Sequence, residues 1–138
     1  MLTGSLLAIA LLSGCSKLSF EDEVPLENDT AEEIYQRGEY ELSRGKEPQA
    51  ANYFSEIERL YPYSEWAKRG LIMQAFAYHR DKDYANSAAA AQRFLDFYPA
   101  DGDAAYAQYL LALSYYDQID EIGRDQGLTI KALQALRG

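Results

Sequence analysis

Tyr61-Pro62 returns as Tyr98-Pro99 after 37 residues, and the same step carries Gly38 to Ala75 to Ala112 and Tyr78 to Tyr115. A period of this length marks a supersecondary unit that cannot bury its apolar face alone, so successive units have to stack. The unit is a helix pair. Thr30-Ala-Glu-Glu33 fits a capping box, and the helix it opens should run to Gly45, a residue able to take the left-handed cap. Pro48 suits the first turn of a second helix that closes at Tyr61-Pro62, because its missing N–H has no intrahelical partner there. Ser64 caps a third helix to about Arg80, and Asp81-Lys82-Asp83 makes a turn. A fourth helix carries apolar groups at Tyr84, Ala88, Ala91, Leu95 and Tyr98, in steps of three and four, before Pro99. Asp101-Gly102-Asp103 opens a fifth helix to about Ile119, a looser stretch spans Asp120–Gln126, and a short helix follows from about Gly127. No stretch alternates with period two for long enough to make a strand.

Within the first unit Gly38, Ala50, Phe54 and Pro62 stand at offsets +12, +16 and +24 from the glycine, which resembles positions 8, 20, 24 and 32 of the tetratricopeptide repeat. The second unit keeps Ala75, Tyr78 and Pro99 but has Ser87 and Ala91 where Ala and Phe are expected. The expected fold is therefore all-α, a tetratricopeptide-type solenoid of antiparallel helix pairs over residues 30–138, with repeats at about 31–64, 65–101 and 102–138. The third is incomplete: Leu128, Ile130, Leu133 and Leu136 have no following helix to cover them, so the sequence reads as a truncated piece of a longer solenoid.

Residues 5–14 form an uncharged apolar run about half as long as the ~20 residues of a spanning helix. The run ends in Leu12-Ser13-Gly14-Cys15, which resembles the bacterial lipobox. On that reading residues 1–14 are a lipoprotein signal peptide, although Met1–Ser5 lacks the Lys or Arg of a positive leader. The only Cys of the chain would then carry an S-diacylglycerol and an N-acyl group, enough acyl chain for stable attachment to a membrane. Ser16 in place of Asp after the Cys points to release to the outer membrane. The competing reading is a plain signal peptide, or a buried strand followed by a free thiol. Residues 15–29, with five acids, one Lys and a Pro, read as a flexible acidic tether.

With one Cys and one His, neither a disulfide nor a four-ligand zinc site can be built within one copy, and no cofactor is expected. A net charge of −9 disfavours nucleic acid. No Ser/His/Asp constellation or phosphate loop is legible, so the expectation is a protein that is not an enzyme. The first helix of each tetratricopeptide pair lines the concave face, and setting the repeat register on Gly38, Ala75 and Ala112 places Tyr35, Leu42, Arg69, Ile72, Phe76, His79, Tyr106, Tyr109, Leu113 and Tyr116 there. An apolar stripe on a concave wall marks a binding site for an extended peptide, with Arg69 and Arg80 able to hold a carboxylate. The alternative is that these rings pack on one another and leave no groove. His79 alone reads as a hydrogen-bonded filler.

Leu60-Tyr61-Pro62-Tyr63, Ala77-Tyr78-His79, Ala88–Phe94 and Gly123-Arg124-Asp125-Gln126 before Ala132-Leu133, together with the lipobox and tether, resemble the BamD (ComL) family of outer-membrane assembly lipoproteins over about the first half of such a protein. The resemblance implies a lipid-anchored subunit of the β-barrel assembly machinery facing the periplasm. It further implies partnership with a BamA-type barrel subunit and other lipoproteins, and contact with the C-terminal signal of unfolded outer-membrane proteins. Such signals end in an aromatic residue and a free carboxylate. The family's C-terminal repeats, associated with docking to the barrel subunit, have no counterpart here. A structural adaptor that holds folded envelope proteins without touching clients is the other function this fold would serve.

Overall fold

The computed structural model describes residues 26–119 and 126–137, so the expected signal peptide, Cys15 and most of the expected tether lie outside the described residues. Six helices follow in order: α1 (Ala31–Ser43), α2 (Glu47–Leu60), α3 (Glu65–Arg80), α4 (Tyr84–Phe97), α5 (Ala104–Asp117) and α6 (Gln126–Arg137). Each packs on its sequence neighbours, and α1, α3 and α5 also touch in succession, as the first helices of stacked pairs do. Among the described residues there is no strand.

The helix ends are fixed by local chemistry. Thr30 Oγ1 accepts from the Glu33 amide at 3.2 Å while Glu33 Oε2 accepts from the Thr30 amide at 2.7 Å, so the capping box is closed in both directions. Hydrogen bonding to Thr30 holds the Glu33 carboxyl below its ordinary pKa. Ser64 Oγ accepts from the Ala67 amide, and Asp83 Oδ1 accepts from the Asn86 amide to cap α4. α5 ends at Asp117, two residues short of the expected Ile119, with Gln118 at its C-cap.

Gly45 takes φ +70° at the first turn, and its counterpart one repeat later, Lys82, takes φ +64°. The second turn therefore keeps the geometry of the first without the residue suited to it. A β-carbon in the left-handed region costs about 1–2 kcal/mol. Lys82→Gly should raise the unfolding free energy by about 1 kcal/mol, read as a higher urea midpoint at unchanged slope.

The core follows the repeat but redistributes its bulk. In repeat one the Phe54 ring lies on Gly38, where a β-carbon would stand 2.6 Å from a ring carbon, and Ile57 sits one turn on. Repeat two places Ala75 and Ala91 at the positions of Gly38 and Phe54, and moves the aromatic group one turn along to Phe94 at the position of Ile57; all three are fully buried. Ser87, the other departure from the pattern, is fully buried as well, and its hydroxyl donates to the Ala75 carbonyl at 2.8 Å while accepting from Ser114 Oγ at 2.8 Å. That chain of bonds joins α3, α4 and α5 through the interior. On α6, Ala132 and Ala135 are buried, Gln108 Nε2 donates to the Ala135 carbonyl, and Ile130, Leu133 and Leu136 are exposed.

Candidate functional site: the wall formed by α1, α3 and α5

The repeat register places positions 12 and 13 of neighbouring first helices side by side, and the coordinates join two of them: His79 Nε2 stands 2.9 Å from Asp117 Oδ2, linking α3 to α5. The imidazole also packs on the Tyr84 ring, with centroids 5.2 Å apart. His79 is thus hydrogen-bonded within the wall, and it fastens repeat two to repeat three.

Along this wall the exposure of the candidate residues changes. Leu42 and Ile72 are buried, Leu42 in the core of α1–α3 and Ile72 in that of α3–α6, so they shape the wall from behind. Tyr35 is half-buried, its ring 5.4 Å from Phe54 and 5.0 Å from Trp66. Phe76 and Leu113 are half-buried too. Tyr106, Tyr109 and Tyr116 stand 41%, 53% and 65% exposed on α5, with Tyr106 and Tyr109 stacked at 6.3 Å. The accessible aromatic surface is therefore concentrated on the third repeat.

Charge is graded across the same wall. α1 presents the exposed carboxylates Glu32 and Glu39. On α3, Arg80 is committed to Glu47 at 2.8 Å and lies over the Phe76 ring. Arg69 is exposed, stacks over Trp66 at 5.2 Å and makes no ion pair among the described residues. It is the wall cation best placed to receive a carboxylate. Trp66, which holds both Tyr35 and Arg69, escaped the sequence reading because it lies outside the wall positions of the repeat. Its being the only Trp, one turn before Gly70, was the available signal.

Burial is the main cause raising the Tyr35 phenol above its ordinary pKa, with Glu39 adding to it and Arg69 opposing; burial likewise raises Tyr106, with Tyr109 adding. These hydroxyls stay protonated near neutrality and offer donors to a ligand. Among the described residues no group of three or more His, Cys, Asp or Glu is placed to hold a metal ion, and no helix is long and apolar enough to cross a membrane.

A family model described as YfiO, outer membrane lipoprotein, matches residues 27–138, which takes in all six helices and the whole wall. The chain belongs to the YfiO family. Curated relatives agree. It is 38% identical over 133 residues, 96% of this chain and 44% of the relative, to a protein of Caulobacter vibrioides named outer membrane protein assembly factor BamD. It is 32% identical over 129 residues, 93% of this chain and 50% of the relative, to the Rickettsia prowazekii protein of the same name. A Pasteurella multocida protein of that name is 26% identical over 89 residues. The chain thus spans about half the length of the YfiO-family relatives it matches.

Proposed function

We propose that this chain is part of a lipid-anchored factor for assembly of outer-membrane proteins, and that its wall holds extended segments of unfolded client proteins without catalysing a reaction. The names of the relatives support the assembly role. The observation that carries the binding role is the exposed tyrosine surface of α5 together with, on the neighbouring α3, an exposed Arg69 that has no carboxylate partner among the described residues. A client segment ending in an aromatic residue would lay its side chains on Tyr106, Tyr109 and Tyr116 and give its terminal carboxylate to Arg69. Tyr35 and Phe76 border the path.

The anchor would be Cys15, acylated on sulfur and nitrogen, which holds the helices at the periplasmic face of the outer membrane. A BamA-type barrel subunit and companion lipoproteins would be the receiving partners. Affinity should be micromolar or weaker, because ordering a flexible segment offsets much of its contact energy, and a weak hold lets the client pass on.

Peptides ending in Phe test the carboxylate contact. A free acid should bind about 3–10-fold more tightly than its amide, as a charge-assisted hydrogen bond at a solvated site predicts. Arg69→Gln should abolish the difference without changing the amide's affinity. Equal binding of acid and amide to the unsubstituted chain contradicts the assignment of Arg69. Silence of every wall substitution, with partner co-purification lost on the convex side instead, would favour the adaptor reading.

A further inference from the structure

One edge of the solenoid gathers three stretches of chain: residues 26–30 leading into α1, the turn from α2 to α3, and the turn from α4 to α5. They are tied together there. Tyr61 Oη donates to the Asp29 carbonyl at 2.5 Å, Arg59 lies 3.9 Å from Glu27, and Lys68 bridges Glu65 and Asp101 at 2.8 and 2.9 Å. The opposite edge carries the turns at 44–46 and 81–83, linked by Arg80 and Glu47.

The charged groups of the first edge largely satisfy one another, yet two large rings are left to solvent. Tyr63 is fully exposed in the first turn, and Phe97, the last residue of α4, is 64% exposed beside the second. Neither belongs to the wall or to a core. Their repeat counterparts are Ala100 and the half-buried Leu60, so the repeat itself does not demand an exposed ring at either place. Rings with an apolar body at a wet boundary are what proteins place at the level of lipid headgroups.

What would cover them is indicated by the anchor. Ten residues separate Cys15 from Leu26, which packs on the α1–α3 core at this same edge. The eleven Cα–Cα steps from Cys15 to Leu26 reach at most about 40 Å, so a lipid on Cys15 would hold this edge, where the chain enters the solenoid, within that distance of the bilayer. Such a tether turns a contact too weak to form from solution into an intramolecular one at millimolar effective concentration. The acids Glu27, Glu65 and Asp101 at the edge, each already beside a cation, leave no excess positive charge to seek an anionic surface.

We infer that the edge carrying Tyr63 and Phe97 rests against a zwitterionic lipid surface and sets the orientation of the solenoid on its membrane, an inference that rests on acylation of Cys15. The wall helices then stand with their N-terminal ends toward the bilayer, and clients cross them parallel to its surface.

The test uses the lipidated chain in phosphatidylcholine vesicles containing headgroup nitroxide lipid, with a fluorophore on Ala100→Cys at this edge or Asp81→Cys at the other; acylated Cys15 does not react. Contact at headgroup depth should quench about half or more of the emission at position 100 and little at 81. Adding Tyr63→Ser and Phe97→Ser should bring position 100 down to the level of 81. A chain that floats with the vesicles but shows equal quenching at 100 and 81, or quenching untouched by the two Ser substitutions, overturns the inference and leaves the anchor standing. A chain that does not float overturns both.

Discussion

Phe54→Ala will lower the unfolding free energy by about 3–5 kcal/mol, the cost of removing a fully buried ring from a site that cannot collapse. Against a total of about 5–15 kcal/mol for a domain, that is enough to bring the solenoid close to its unfolding threshold. The partner residue gives the prediction its sharper form. Gly38→Ala should favour helix by about 1 kcal/mol on propensity alone. Its β-carbon would meet three Phe54 ring atoms at 2.6, 2.8 and 3.0 Å, and the ring, only 1% exposed, has nowhere to go. The net sign is therefore destabilising, by about 1–3 kcal/mol. With Phe54→Ala already present the clash is gone, so adding Gly38→Ala should cost nothing or restore stability. The double substitution also reproduces the Ala75/Ala91 combination of repeat two. Urea unfolding followed by circular dichroism should show a coupling of about 1–3 kcal/mol between the two sites; strict additivity would mean the ring does not rest on Gly38.

That pair also shows where sequence reasoning reached and where it stopped. Helix ends were legible because their causes are local: Thr30 with Glu33, Ser64 with Ala67, and Gly45 at positive φ each act within a few residues. The fold class followed from the 37-residue step, since a stack repeats its contacts. Ser87 and Ala91 looked like defects in the pattern, because no single position reveals that bulk has moved one turn to Phe94 or that a buried hydroxyl chain runs from Ser114 through Ser87 to Ala75. On the wall, register gives positions but not their exposure. Leu42 and Ile72 turn into the two cores, whereas Tyr109 and Tyr116, at the equivalent positions of α5, remain open. Side-chain burial depends on which neighbours a helix has, and a register carries no record of that.

The tyrosines of α5 supply the second large effect. Tyr109→Ala with Tyr116→Ala should weaken binding of a Phe-terminated peptide by about 10–100-fold, which is about 0.7–1.4 kcal/mol for each exposed aromatic anchor. Both side chains are more than half exposed, so the unfolding midpoint should stay within about 0.5 kcal/mol of the parent. Loss of binding with stability kept separates a contact from a packing role. Leu42→Ala offers the converse, lowering stability without a direct contact to lose, because its side chain lies in the core.

The central claim, that this wall of first helices holds unfolded clients, is met most directly by photo-crosslinking in cells, with a photoreactive residue at Tyr109 on the wall or at Gln92 on the exposed face of α4. The account predicts crosslinks from position 109 to unfolded outer-membrane proteins and none from position 92. Crosslinks from 109 to folded subunits alone, or client crosslinks of equal yield from both positions, would contradict it.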